Sequence, residues 1–187
     1  SDTTVAVKEA LTEGIFIVAA AGNIDSEQNS SDVSSPASLP GVIAVGAHGK
    51  SGDPWKDSAR GSLVDPETGE NRTFPDQKPE IVAPGVDLWS CIDSERDPPY
   101  AFSTGTSDST VMVTGALALI IAIHGEQIAG DDGEIDEQEM RLVKVALANS
   151  AKKTAGQVQI HDQKSGYGLL DAIEWSEQVQ KEFGLGT

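Results

Sequence analysis

The chain has 187 residues, 38% of them hydrophobic, with 30 acidic residues against 13 basic ones and a formal net charge of −17. That is one domain's worth of chain with enough apolar content for a core, and so acidic a surface argues against nucleic acid and anionic membranes as partners. The acidity serves solubility, and it also matches the lysine-poor surfaces of proteins from very salty surroundings, where screening relieves self-repulsion.

Taken in chain order, Thr3–Glu13 reads as a helix, with Ser1 and Asp2 available as caps, Val7, Ala10 and Leu11 on one apolar face and Gly14 as its stop. Ile15–Ala20 is a short β-branched run of the kind buried in parallel sheets. A polar loop, Ile24–Ser34, precedes strand Val42–Ala47. The segment Gly49–Gln77 is long enough to be either a functional loop or a surface insertion. Ile81–Ala83 and Leu88–Ile92 are strands, and Cys91, the one cysteine, is predicted as buried filler in the second. Helices follow at Ser109–His124, Glu137–Ser150 and Asp171–Phe183. Met140, Val143 and Leu147 share a helix face and are predicted to pack on the sheet. The longest apolar block, Gly115–Ile123, is too short to cross a bilayer. Alternating helices and short strands predict an α/β fold, a three-layer sandwich around a mostly parallel sheet.

Two segments carry chemistry. Phe102-Ser103-Thr104-Gly105-Thr106-Ser107 is a tight turn that runs into an apolar helix. A helix start presents unpaired N–H groups and partial positive charge, so a serine there is either a helix cap or a nucleophile whose own N–H steadies an oxyanion. Ala20, Ala21 and Gly22 form a small-residue turn that admits another backbone. Asn23 follows them, just past a strand's carboxyl end, where open α/β sheets bind ligands. It reads either as a turn residue or as an amide donor. The acid-rich stretch 131–137 suits either a solvated loop before a helix or a structural calcium, although its spacing does not fit an EF-hand. No spacing calls for a catalytic metal or cofactor.

Together the two segments resemble the subtilisin-like serine proteases. Ser35-Pro36-Ala37 with Leu39–Ala47, Lys78-Pro79-Glu80-Ile81-Val82-Ala83-Pro84-Gly85-Val86, and Gly166-Tyr167-Gly168-Leu169-Leu170-Asp171-Ala172 are similar to further stretches of that family, in family order. The resemblance implies that Ser107 is the nucleophile and Asn23 the side-chain oxyanion donor. It also implies that Ala20, Ala21 and Gly22, with Gly105 and Thr106, border the substrate, a polypeptide, and that the 49–77 loop lies near the cleft.

The family carries its Asp and His upstream of the asparagine, and no histidine precedes Asn23. His48, His124 and His161 match no family base and are predicted as exposed or capping residues, His124 at a helix C-terminus. Residues 1–187 are therefore expected to be the C-terminal portion of the catalytic domain, with the N-terminal part missing and a partner segment supplying Asp and His. Val111 and Met112 stand where the family commonly has Pro-His. Asp108, next to the serine, suits the helix dipole but opposes a developing oxyanion. That leaves a protease-like binding or structural module as the alternative to an enzyme. The triplets Asn29-Ser30-Ser31 and Asn71-Arg72-Thr73 fit N-glycosylation and, with the resemblance, favour a location outside the cell.

Overall fold

The computed structural model describes residues 1–24 and 32–185; the Asn29 triplet lies outside them. Helix α1 (Asp2–Thr12) starts on the side chain of Ser1, which accepts from the Thr4 N–H. Three parallel strands follow, β1 (Val18–Ala20), β2 (Ile43–His48) and β3 (Ile81–Pro84), in the order β1-β2-β3. Val18 pairs with Ile43 and Val45 with Ile81. The sheet is apolar on both sides, so alternate residues of β2 feed two cores. Ile43 and Val45 meet Val113, Leu117 and Ile120 of helix α2 (Thr106–Ile128), while Val42 and Ala44 join Val7, Val33, Ala37 and Leu39 on the α1 side. This is the expected three-layer arrangement.

Leu88–Ile92 does not extend the parallel sheet. Strand β4 (Leu88–Cys91) pairs antiparallel with β5 (Tyr100–Ser103), a strand the sequence did not signal, and forms a separate hairpin. Cys91 is exposed there rather than buried, because a two-stranded ribbon has only one face to cover. Helix α3 (Glu137–Ser150) buries Met140, Val143 and Leu147. Its main neighbour, however, is helix α4 (Ala172–Glu182) rather than the sheet, and Trp175 Nε1 donates to the Val143 carbonyl at 3.0 Å. Asp136 and Glu139 form a reciprocal capping box at the start of α3. Among the described residues no group of three acidic, histidine or cysteine side chains is arranged to hold a metal ion.

α2 runs from Thr106 to Ile128, past both predicted ends. By length and composition it could cross a bilayer, but it packs along β1, β2 and β3 as a core helix. His124 is correspondingly not a terminal residue. It is buried, 2.9 Å from the Ser176 hydroxyl. His161 is buried as well, with Nε2 2.9 Å from the Pro79 carbonyl. The sequence alone predicts both at the surface. Tertiary packing covers them, which no local pattern signals.

At the amino ends of β2 and β3 sits a buried ion network. Lys78 Nζ donates to the Val42 carbonyl (2.7 Å) and to Glu80 (2.8 Å); Lys144 donates to Glu80 (2.8 Å), Val42 (3.2 Å) and Asp76. Glu80 also accepts from the Ala44 N–H at 2.8 Å, which ties the network to β2. Burial pulls the Lys78 ammonium down to about 8. Beside it lies a cavity of about 520 Å³ between α1 and α3, at the opposite end of the strands from α2's first turn. Burial alone would raise the Asp76 carboxyl, but the Lys144 charge and hydrogen bond, the Lys78 charge and the Gly41 N–H hold it at about 2. A carboxyl whose folded value lies below its unfolded one stabilises the fold at pH above about 4 and loses that contribution as pH falls through about 2. Acid unfolding should therefore show a loss of about 2 kcal/mol across that window, absent in Asp76→Asn. Equal acid limbs in both proteins would disprove it.

Candidate active site

The carboxyl ends of the three parallel strands converge on the first turn of α2. After β3, the Gly85 carbonyl accepts from the Gly105 N–H at 2.8 Å, and the Gly85 N–H donates to the His48 carbonyl at the end of β2, at 3.2 Å. A Cβ at Gly85 would lie 2.0 Å from Ser109 Oγ and 2.7 Å from the Gly105 carbonyl, so only glycine permits this approach. The Ser109 hydroxyl adds a bond to the Ala83 carbonyl at 3.0 Å, stitching the helix start to β3.

From β1 the chain turns through Ala20, half-buried, and Ala21, fully buried, into Gly22 at φ +110°, where a Cβ would strike Ser34 Oγ. Asn23 follows, exposed, and its side-chain oxygen accepts twice from Thr106: from the backbone N–H at 3.0 Å and from the hydroxyl at 2.9 Å. Thr106 Oγ1 in turn accepts from the Gly22 N–H at 3.2 Å. With its oxygen held by two donors, the Asn23 carboxamide is fixed in orientation and its Nδ2 takes part in neither bond. That Nδ2 lies 3.3 Å from where a Cβ on Gly105 would stand.

Ser107 is the second residue of α2 and is exposed. Gly105, not Ser107, is the N-cap, and it makes no side-chain capping bond. Ser107 is therefore not a helix cap. The Thr106 N–H is taken by Asn23, which leaves the Ser107 and Asp108 N–H groups at the positive end of a 23-residue helix with no intrahelical acceptor. Asp108 is half-buried and accepts from the Ser103 hydroxyl at 2.9 Å. Its carboxylate oxygen lies 3.6 Å from the same Gly105 Cβ position that Asn23 Nδ2 approaches.

The structure thus brings together Gly22, Asn23, Gly105 and Thr106 by direct contact, with Ser107 next in the chain. No histidine side chain hydrogen-bonds to any of them. His48 Nδ1 is engaged with the neighbouring Gly49 carbonyl at 2.7 Å, and His124 lies 17 residues along α2, roughly 25 Å from Ser107. Only the first part of the 49–77 loop borders the site. The Ile24 N–H donates to the Asp57 carbonyl and the Ala59 N–H to the Gly22 carbonyl, whereas Arg72 pairs with Asp32 at 2.7 Å. Thr106 as the residue that orients Asn23, and Ser103 as the partner of Asp108, were not recognisable in the sequence. Each acts through a neighbour that only folding supplies.

Comparison with known proteins places the chain in a family. Residues 1–168 match the family model described as Subtilase family. Subtilisin amylosacchariticus of Bacillus subtilis subsp. amylosacchariticus is 36% identical over 118 residues, which cover 63% of this chain and 26% of that protein. The major intracellular serine protease of Bacillus subtilis (strain 168) is 29% identical over 152 residues, 81% of this chain and 42% of the relative. Among solved structures, that of the prenylagaramide maturation protease PagA superposes with a TM-score of 0.68 at 26% identity, covering 94% of this chain and 54% of the other. The chain thus matches only part of the length of each of these relatives.

Proposed function

The chain belongs to the subtilase family, and from that premise we propose that it is part of a serine endopeptidase. In this reading Ser107 attacks the substrate carbonyl, and its own N–H together with Asn23 Nδ2 stabilises the tetrahedral oxyanion. Thr106 is a positioning residue, and Ala20, Ala21, Gly22 and Gly105 border the substrate. The carrying observation is the pair of Thr106 bonds that orient the Asn23 amide beside an exposed serine at a helix start.

A general base is required, and none among the described residues reaches Ser107. We place it, with its orienting carboxylate, on an upstream segment or a separate chain. The outer stripe of α2 supports a covering segment of this kind: Val111, Leu119 and Ile123 are 68, 66 and 62% exposed, an apolar row unusual on a finished surface. The family includes a relative named an intracellular protease; we place this chain outside the cell, as the glycosylation triplet at Asn71 favours. Its net charge of −17 disfavours nucleic-acid and anionic-membrane partners.

The test is labelling of the complete assembly with a fluorophosphonate serine probe. An adduct mapped to Ser107 supports the endopeptidase. No adduct with the upstream segment present supports the second reading, a protease-like binding module. The position of Asp108 favours that second reading, because a carboxylate within about 7 Å of the oxyanion opposes it by roughly 2 kcal/mol before solvent screening. Asp108→Asn should accordingly raise kcat by about three- to tenfold with little change in KM. Unchanged or reduced kcat would remove Asp108 as a brake.

A further inference from the structure

The β4–β5 hairpin leads directly into the serine turn, and one of its faces has no structural task. The register places Trp89 opposite Phe102 and Cys91 opposite Tyr100, so these four side chains share a face. All four are exposed, Trp89 by 58% and Phe102 by 68%. The three rings cluster: Trp89 stacks on Tyr100 with centroids 6.1 Å apart and meets Phe102 edge-on at 4.9 Å. The connecting turn carries Asp93, Glu95 and Asp97, all exposed, with Arg96 as its only base. The Ser103–Asp108 bond holds the hairpin to the start of α2, and the bond from the Asp87 N–H to the Thr104 hydroxyl (2.9 Å) closes the hairpin's base.

We propose that this aromatic face is a binding site for cationic polypeptide segments. Arginine or lysine side chains would lie against the Trp89, Tyr100 and Phe102 rings while the carboxylates of the 93–97 turn neutralise them. The ring faces attract cations through their quadrupoles, and a guanidinium is the cation that stacks on them best. The flanking acids supply the matching charge. A second copy of this chain would bring another −17 charges to an acidic face, so self-association is not the use of this surface. An apolar partner would gain nothing from the carboxylates.

Position connects the site to the reaction. Phe102 is five residues from Ser107, at most about 18 Å of extended chain, a span that about six residues of bound polypeptide cover. The face would therefore select substrates with basic residues a few positions from the scissile bond. That substrate role rests on the endopeptidase reading; the binding itself does not.

The test uses Ser107→Ala protein, so that nothing is cleaved, and fluorescently labelled hexa-arginine and hexa-citrulline peptides, which differ in charge but hardly in shape. Anisotropy should show hexa-arginine binding at least about tenfold more tightly than hexa-citrulline, and Trp89→Ala/Phe102→Ala should weaken it about tenfold. The double substitution leaves the net charge unchanged, so diffuse attraction to an acidic surface would be indifferent to it. Equal affinity for both peptides, or an unaltered affinity in the double variant, would overturn the proposal. A milder Trp89→Leu variant, expected to lose several-fold, guards against a folding defect at the hairpin. Ring-dependent binding by a protein that the serine probe never labels would keep the site and reject only its role in proteolysis.

Discussion

Ser107→Ala is expected to abolish fluorophosphonate labelling of the complete assembly and to lower kcat by about 10⁶-fold, a magnitude taken from subtilisin's own serine rather than from this chain. Asn23→Ala should leave labelling possible but slow, with kcat down by about 10²–10³-fold and KM nearly unchanged; that range too comes from a subtilisin. The asymmetry follows from what each group does. The hydroxyl forms the bond, so nothing replaces it. The amide stabilises charge that exists only in the transition state, so its removal lowers kcat without weakening substrate binding. Single-turnover kinetics on both variants provide the measurement. Undiminished turnover in Ser107→Ala would end the endopeptidase reading. A rise in KM with constant kcat in Asn23→Ala would make Asn23 a substrate contact and not an oxyanion donor.

The second large effect is on stability. Glu80 is 1% exposed and bonds to two buried ammonium groups as well as the Ala44 N–H. Glu80→Gln keeps the shape and one acceptor but leaves Lys78 and Lys144 with less counter-charge than buried cations need. Breaking a buried ion pair by removing one partner costs about 3–5 kcal/mol, a large share of the roughly 5–15 kcal/mol that holds a domain folded. Urea unfolding should therefore move to a much lower midpoint. Asp76→Asn/Lys78→Met/Glu80→Gln/Lys144→Met, which removes both cations together with both of their carboxylate partners, should recover most of the loss, because the cost lies in uncompensated charge rather than in a missing bond. An unchanged midpoint in the single variant would show that the network is solvated and stabilises little.

The same network marks where sequence reading stops. Lys78 and Glu80 flank a proline before an apolar strand and stand in a stretch that resembles the subtilisin-like family, yet nothing local says that both charges are buried. Their partner Lys144 lies 64 residues past Glu80, on α3. His124 and His161 went the same way: polar residues in ordinary surroundings, covered by elements distant in the chain. The hairpin strand Tyr100–Ser103 was missed because Pro98 and Pro99 precede it and its exposed aromatics do not alternate with polar residues. Cys91 was misplaced because an apolar run does not distinguish a sheet interior from a two-stranded ribbon.

The order of the three short buried strands, the small-residue turn before Asn23 and the glycine-led turn that opens α2 were determined by sequence alone. They depend on backbone sterics and on hydrophobic runs, which act over a few residues. Whether the Asn23 amide is oriented, where the Asp108 carboxylate rests, and which aromatics stay in water were decided by the tertiary structure. Each is a contact between groups that only the packed sheet brings within hydrogen-bonding or van der Waals distance.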